Sequence, residues 1–220
     1  MALTARQHAP ATARNRQPIL EILETVLPPS GTVLEVSSGT GEHVTFFAPK
    51  LKHLQWLPSE PQAIARQSIQ AWAEERPASN LILPPLNLDV SVQPWPVETA
   101  SFKAQLAEPI TAIININMIH ISPWEMCTHL IAGAKRILPE GGVLYLYGPY
   151  KREGQQTSPS NEAFDRVLRD RNSSWGIRDL EAVVAIAKSH SLRLIDVIAM
   201  PANNFSVVFQ ATASPLSPSP

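Results

Sequence analysis

The alternation of short apolar runs with amphipathic stretches is the feature that most constrains how this chain of 220 residues folds. Apolar runs rich in β-branched residues predict strands, and apolar positions three or four residues apart predict helices between them. Because helices separate successive strands, we predict a parallel sheet with helices on both faces. The predicted strands are 32–36, 54–57, 86–90, 112–118, 143–147, 192–198 and 206–210.

The last two predicted strands follow one another without a helix between them. They are separated by the short segment Pro201-Ala202-Asn203-Asn204, so we expect them to pair antiparallel. This ending is typical of the methyltransferase version of the doubly wound fold rather than the dinucleotide-binding version. The predicted fold is therefore a three-layer, Rossmann-like α/β domain whose seven-stranded, mostly parallel sheet has an antiparallel terminal strand.

Local sequence also predicts where several helices begin. Asn15 is predicted to be an N-cap, and Pro61 is predicted to open a helix because its fixed φ suits the first position. Ser122 and Glu125 have the spacing of a capping box. Further helices are predicted to start at Ser158 and Asp179.

Composition excludes several classes of protein. With 44% hydrophobic and 17% charged residues, the chain is globular rather than disordered. A net charge of −1 gives no general attraction to nucleic acid or anionic lipid. The single cysteine, Cys127, excludes an internal disulfide framework and fits a reducing compartment. No apolar run approaches the ~20 residues of a membrane span. We therefore expect a cytoplasmic protein that binds neither nucleic acid nor membrane, and the sequence leaves its oligomeric state open.

One domain is expected, over residues 14–212. Residues 1–13 are predicted to be a flexible N-terminus. The start of the chain to Pro18 has no secretory h-region, although Arg6, Arg14 and Arg16 also resemble the arginines of a transit peptide. Residues 213–220, which end in Ser-Pro repeats, are predicted to be a disordered tail.

The turn after the first predicted strand is the first candidate for ligand binding. In open α/β sheets, ligands bind at the carboxyl ends of the strands. Glycines there let the backbone approach a ligand closely, although a purely structural turn is the alternative interpretation. A dinucleotide site would place a third glycine where this chain has Val44. S-adenosylmethionine (SAM) has no phosphate and places fewer demands on the turn; the predicted contacts here are Glu35, Ser37, Gly39, Thr40 and Gly41.

Two carboxylates follow at later strand ends. Glu60 lies about 20 residues past the turn, the spacing expected of a carboxylate that accepts hydrogen bonds from ribose hydroxyls. Asp89 is placed to accept from an adenine amino group, with Leu88 and Val90 beside the ring. A helix-start acid and a loop-capping Asp are the respective alternatives. Pro61 completes this set of predicted cofactor contacts.

Polar residues inside the fourth predicted strand form the last candidate group. Asn115 and Asn117 interrupt a run that should be buried, so their amides need partners, either a ligand or a neighbouring loop. Both, with Met118, are predicted cofactor contacts. Asn117, His120 and Tyr150 are the candidate catalytic or acceptor-contacting residues, with a structural role for His120 as the alternative. The histidines lack metal-ligand spacing, so no metal site is predicted.

Six motifs together resemble the methyltransferase-like 26 type of class I SAM-dependent methyltransferases, long catalogued as a domain of unknown function. They are RNRQPIL from Arg14, VLEVSSGTGEH from Val33, PSEP from Pro58, NMIHISPW from Asn117, LYGPYKR from Leu146 and MPANN from Met200.

The resemblance covers residues 14–210 and implies the seven-stranded methyltransferase fold, with SAM as cofactor. It also implies that Arg14 to Arg16 fold over the cofactor mouth, which makes Arg16 a predicted contact. The class pattern has an acid followed by three alternating glycines, and here Ser37 replaces the first glycine. The resemblance brings no methyl acceptor with it.

Three functions remain open from sequence. The first is methyl transfer from SAM to a small molecule. The second is a non-catalytic SAM-binding or interaction module, because a glycine is missing and no base is obvious. The third is a nicotinamide-dependent oxidoreductase, against which Val44 and the terminal strand pair argue.

Overall fold

The computed structural model describes residues 5–213, and the greater part of the predicted tail, residues 214–220, lies outside them. Seven α-helices and eight strands alternate over this range. In chain order they are α1 (Pro10–Val26), β1 (Thr32–Val36), α2 (Val44–Phe47), β2 (Gln55–Ser59), α3 (Ala63–Glu75), α4 (Ala100–Lys103), β3 (Ile110–Ile116), α5 (Trp124–Ile137), β4 (Val143–Gly148), β5 (Tyr150–Lys151), α6 (Pro159–Arg171), β6 (Arg178–Asp179), α7 (Leu180–Ser189), β7 (Leu192–Met200) and β8 (Asn204–Ala211).

Six strands form the main sheet, in the order β2-β1-β3-β4-β8-β7. β1 pairs parallel with both β2 and β3, and β3 pairs parallel with β4. β8 runs antiparallel to β4 on one side and to β7 on the other. The α/β fold and the antiparallel pairing of the last two strands are therefore confirmed. β5 and β6 form a separate two-stranded parallel sheet.

The predicted third strand, 86–90, is wrong in its position. The chain pairs with β2 earlier, through single bridges of Leu81 to Trp56 and of Leu86 to Ser59. Pro84 and Pro85 lie between these bridges and lack the N–H groups that a continuous ladder requires. The expected seventh strand is thus reduced to two points of contact beside a six-stranded sheet.

Alternate residues of the strands build two separate cores, one on each face of the sheet. Leu34 of β1 packs with Cys127 and Leu130 of α5 in one core. Val33 packs with Ile19 of α1 and Phe47 of α2 in the other. Because both faces are covered, the central strand β1 is buried along its whole length, as expected of a parallel strand.

Two predicted helix starts are wrong because the side chains involved bond to other partners. α1 begins at Pro10, and Asn15 lies inside it with its side chain against His43. The hydroxyl of Ser122 donates to the carbonyl of Met118 rather than capping α5. Ser158 and Asp179 do cap α6 and α7.

The N-terminal segment, residues 5–13, is packed against the body, in contrast to the flexible segment predicted for 1–13. The Gln7 amide donates to Ser68 Oγ at 2.8 Å, and Trp72 Nε1 donates to the Gln7 carbonyl at 2.9 Å. The Ala9 amide donates to Glu42 at 2.6 Å. Residues 1–4 lie outside the described range. Within that range no helix is both long and apolar enough to cross a membrane.

Candidate functional site

A cavity of about 590 Å³ opens at the carboxyl ends of β1, β2 and β3. The parallel strands bring residues that are distant in sequence to this one edge of the sheet. Its volume lies within the range of ~300–1,000 Å³ that is usual for ligand pockets. The predicted cofactor contacts that line it are Glu35, Ser37, Gly39, Thr40, Glu60, Pro61, Leu88, Asp89, Val90, Asn117 and Met118.

The turn after β1 is held by hydrogen bonds to the end of β2. The Ser38 amide donates to the Ser59 carbonyl at 2.8 Å, and the Ser59 hydroxyl donates to the Glu35 carbonyl at 2.8 Å. Ser37 and Gly39 both have positive φ, 57° and 56°. A methyl group on Gly39 would meet no atom within 4 Å, so this glycine faces open space. The turn therefore offers exposed backbone to the cavity.

Gly41 has a different role from the predicted ligand contact. Its φ is +88°, and a Cβ there would lie 2.7 Å from the Cα of Ile69 in α3. Gly41 is absent from the cavity lining and lets α3 pack closely against the turn.

Glu35 places a buried, incompletely bonded carboxyl in the cavity. Only 2% of the residue is exposed, and its Oε2 makes no hydrogen bond within the described part of the chain. Burial raises the pKa of this carboxyl to about 8, which a bond to Ser38 opposes and the nearby Glu60 reinforces. Near neutral pH the group is mostly protonated, and one oxygen is left without a partner.

Glu60 joins the turn to the start of α3. Its Oε2 accepts from the Gly39 amide at 3.1 Å, and its Oε1 accepts from the Gln62 amide at 3.2 Å. Burial raises the pKa of Glu60, and these two bonds oppose the shift. The carboxylate thus fixes the turn, and its remaining lone pairs are available on the cavity side. α3 itself starts at Ala63, so the prediction that Pro61 opens it is wrong.

Asp89 is exposed at the cavity rim, between the buried side chains of Leu88 and Val90. Its Oδ1 accepts from the amide of Ser91 at 2.9 Å and from its hydroxyl at 2.6 Å. Those bonds hold the pKa of Asp89 below its usual range. One carboxylate oxygen caps the loop, and the same side chain also lines the cavity.

The two asparagines at the carboxyl end of β3 have separate roles. Asn115 is buried and donates to the Val36 carbonyl at 2.9 Å, so it ties β3 to β1 and does not line the cavity. Asn117 follows β3 with a φ of 66°, a conformation that asparagine tolerates better than most residues, and it does line the cavity.

The other candidate catalytic residues, His120 and Tyr150, lie behind the cavity wall. Both are buried, their rings meet edge to face at 4.9 Å, and neither lines the cavity. His120 Nδ1 accepts from the Arg178 amide at 3.4 Å, and burial lowers the pKa of His120 to about 3. Burial also raises the pKa of Tyr150 well above its usual range.

Arg16 does not fold over the cavity mouth. Its guanidinium carbon lies 4.6 Å from the centre of the Phe46 ring, and the residue is absent from the cavity lining. The N-terminal segment lines the cavity instead, through Gln7, Ala9, Ala11 and Thr12.

Sequence reasoning missed several lining residues. His43 follows the glycine turn directly, and this position was the one available clue to its role. Others lie next to predicted contacts or inside the motifs quoted above: Ser38, Gln62, Ile116, Ile121, Ser122 and Pro123. Nothing in the local sequence marked the remaining ones: Gln7, Ala9, Ala11, Thr12, Ala65, Met126 and Trp175.

Several solved structures that share the fold are methyltransferases. An O-methyltransferase family 2 protein from Planctomyces limnophilus, in complex with apigenin, matches with a TM-score of 0.72 and 18% identity, over 92% of this chain and 60% of that one. An O-methyltransferase family protein from Burkholderia thailandensis matches with 0.72 and 10%, over 93% and 58%. Human N-acetylserotonin methyltransferase, in complex with SAM, matches with 0.68 and 11%, over 92% and 53%.

The chain spans a little over half the length of these structures, and at such identities the likeness establishes the fold. A family model described as "Protein of unknown function (DUF938)" matches residues 6–211. That match covers nearly the whole described chain, and the protein therefore belongs to the DUF938 family.

Proposed function

We propose that this protein is a SAM-dependent methyltransferase that acts on a small molecule. The single observation that carries the proposal is the unpartnered Oε2 of Glu35, buried in a cavity at the carboxyl ends of the strands. A buried carboxyl oxygen without a partner is costly, and a bound ligand with N–H or O–H groups would relieve that cost.

The chemistry of the lining fits SAM. Its ammonium, ribose hydroxyls and adenine amino group are all donors, and Glu35, Glu60 and Asp89 offer acceptors along the same cavity. SAM also carries a positive sulfonium, which suits a lining whose charged side chains are acidic. The apolar parts of the cofactor would contact Pro61, Leu88, Val90 and Met118. Its polar groups would contact the turn from Ser37 to Thr40.

The same lining argues against a nicotinamide dinucleotide. No Lys or Arg from residues 5–213 lines the cavity, so a diphosphate would meet carboxylates without a compensating cation. Val44 also occupies the position where such a site would have its third glycine.

When bound, SAM would supply an already activated methyl group. The chain's own residues would then align the acceptor and exclude water. Asn117, which lines the cavity, is the proposed polar contact to the acceptor. His120 and Tyr150 would support that wall from behind rather than touch the acceptor.

Calorimetry with SAM tests the cofactor site. We expect Glu60→Gln and Asp89→Ala each to weaken SAM binding ~10-fold, the cost of losing a hydrogen bond to a charged group. Gln is chosen at position 60 because it keeps an acceptor for the Gly39 amide. Glu24→Ala, at an exposed position of α1, is the matched control and should bind SAM as the wild type does. Unchanged affinity in both site variants would remove this assignment.

A non-catalytic SAM-binding module is the second candidate, favoured by the distance of His120 and Tyr150 from the lining. Incubation of the protein with methyl-labelled SAM and a metabolite extract separates the two functions. Transfer of label to a small molecule supports the enzyme, whereas tight binding without transfer supports the module.

We further propose that the chain is of the methyltransferase-like 26 type and acts in the cytoplasm. Its methyltransferase domain would occupy residues 14–212, with the packed N-terminal segment forming part of the cavity wall.

A further inference from the structure

The cavity lining that remains after the proposed cofactor contacts carries no formal charge at neutral pH. The N-terminal segment contributes Ala9, Ala11 and Thr12, and a second part of the lining contributes Met126 and Trp175. Within residues 5–213, every acidic side chain in the lining is one that we assign to the cofactor. An acceptor would therefore meet mainly apolar surface.

His43 is one of the uncharged polar residues in this remaining lining, with Gln7, Thr12, Ser38, Gln62 and Ser122. Its Nε2 lies 2.9 Å from Oδ1 of Asn15, and its ring stacks on Phe47 with centroids 5.6 Å apart. Asn15 also forms a side-chain hydrogen bond that partly offsets the burial-raised pKa of Tyr147. A bond from the Asn15 amide N–H to Tyr147 leaves its oxygen to accept from His43.

The orientation of the Asn15 amide determines which nitrogen of the His43 ring carries the hydrogen. If Nε2 carries the hydrogen, Nδ1 presents a lone pair, and it makes no hydrogen bond to any residue in the described range. Burial, with a smaller contribution from the charge of Arg16, lowers the pKa of His43 to about 3. The ring therefore stays neutral near pH 7 and acts as an acceptor. A neutral ring also avoids placing a second cation beside a sulfonium.

An anionic acceptor is disfavoured because no cationic side chain from residues 5–213 lines the cavity. Arg16 of α1 has its guanidinium over Phe46 and does not line the cavity. A carboxylate or phosphate entering here would lose its hydration without gaining a cationic partner.

We propose that the methyl acceptor is an uncharged, largely apolar small molecule with a hydroxyl or N–H group, and that Nδ1 of His43 accepts a hydrogen bond from that group. This inference rests on the proposed function. It assigns His43, which contacts Asn15 of α1, to hold the acceptor by its donor hydrogen in this cavity.

Three small probes test the acceptor class by calorimetry on protein saturated with S-adenosylhomocysteine. 4-Ethylphenol is neutral and carries a donor, 4-ethylanisole lacks the donor, and 4-hydroxybenzoate adds a carboxylate. We expect 4-ethylphenol to bind ~10-fold more tightly than either of the others. Equal binding of 4-hydroxybenzoate, or binding of none of the three, overturns the inference.

Three variants test His43 itself. His43→Phe keeps the stacking ring but should abolish the preference for 4-ethylphenol over 4-ethylanisole. His43→Asn keeps a polar atom near the Nδ1 position and should retain part of that preference. His43→Gln keeps one near Nε2, restores only the contact to Asn15, and should not retain it. A role limited to holding Asn15 predicts the opposite order of Asn and Gln and would overturn the assignment.

Binding of S-adenosylhomocysteine separates failure of this inference from failure of the proposed function. We expect all three variants to bind it within ~3-fold of the wild type. If the wild type itself does not bind it, the proposed function fails, and this inference fails with it. If it binds but the probe preference is missing, only the inference fails.

Discussion

At the scale of single residues, Glu35 is a buried carboxyl whose burial costs stability rather than adding to it. It sits on β1, a strand that is buried along its whole length, yet its Oε2 has no partner in the described chain. Replacing such a carboxyl by its amide removes the cost of ionisation while keeping the shape. The residue therefore lends itself to a test in which stability and ligand binding change in opposite directions.

We expect Glu35→Gln to remove a pH-dependent loss of stability. The folded pKa of about 8 exceeds the usual 4.5, so the folded state holds a proton that the unfolded state has lost between these values. The unfolding free energy of the wild type should thus fall by ~1.4 kcal/mol per pH unit as pH rises from 6.5 to 8, relative to the variant.

Urea unfolding of wild type and Glu35→Gln at several pH values measures this difference. SAM affinity should be lower in the variant, because hydrogen-bond donors of a bound ligand favour the ionised carboxylate, which accepts at both oxygens, whereas the amide accepts at one. Parallel stability curves across pH 6.5–8 would contradict the burial argument.

At the scale of elements, α5 depends on one close approach. A Cβ added at Gly133 would lie 2.2 Å from Cζ2 of Trp95, and Trp95 is fully buried. The Trp95 indole in turn donates to the carbonyl of Val90, a cavity-lining residue, at 3.1 Å. The position of α5 is therefore coupled to the loop that carries Leu88 to Val90.

We expect Gly133→Ala to destabilise the protein although alanine is the better helix former. Overpacking costs ~1–3 kcal/mol, against a gain of ~1 kcal/mol in helix propensity. Thermal unfolding should show that Gly133→Ala lowers the stability of the otherwise wild-type protein. In a Trp95→Leu background the clash is removed, and Gly133→Ala should then be neutral or stabilising. An equal loss in both backgrounds would show that Trp95 is not the cause.

At the scale of the whole molecule, buried titrating groups set the pH of greatest stability. The pKa values of His43 and His120 fall from 6.5 to about 3, so the unfolded state binds two protons in this window that the folded state does not. Glu35 acts in the opposite direction between 4.5 and about 8. Between pH 5 and 6 the net difference is one proton.

We therefore expect the unfolding free energy to peak near pH 6.5 and to fall by ~1.4 kcal/mol per pH unit on acidification to pH 5. In Glu35→Gln the loss should be about twice as steep, and the peak should move to higher pH, because the opposing contribution of Glu35 is removed. A stability that is flat from pH 5 to 7 would contradict the low pKa values assigned to the two histidines.

The fold was largely predictable from the sequence because its evidence is local and repeated. Strands such as Thr32–Val36 and helix starts such as Ser158 and Asp179 depend on neighbouring residues alone. The third strand was misplaced because Pro84 and Pro85 break a ladder that the apolar residues beyond them seemed to continue. Asn15 looked like a cap, but its side chain is used by a residue 28 positions away.

The candidate site was predictable in part for the same reason. Residues at strand ends, such as Glu35, Glu60 and Asp89, reach the cavity because parallel strands end at one edge. His120 and Tyr150 follow strands too, but their side chains pack behind the wall. Sequence position defines which edge a residue is near, and not the direction in which its side chain points.

The sequence alone determined the α/β architecture, the antiparallel ending and the acids around the glycine turn, since hydrophobic periodicity and glycine placement are properties of neighbouring residues. Only the tertiary structure decided that the N-terminal segment, His43 and Trp175 share the cavity, and that Arg16, His120 and Tyr150 do not line it. The physical reason is that side-chain direction and long-range contact depend on how whole helices pack, which no short stretch of sequence specifies.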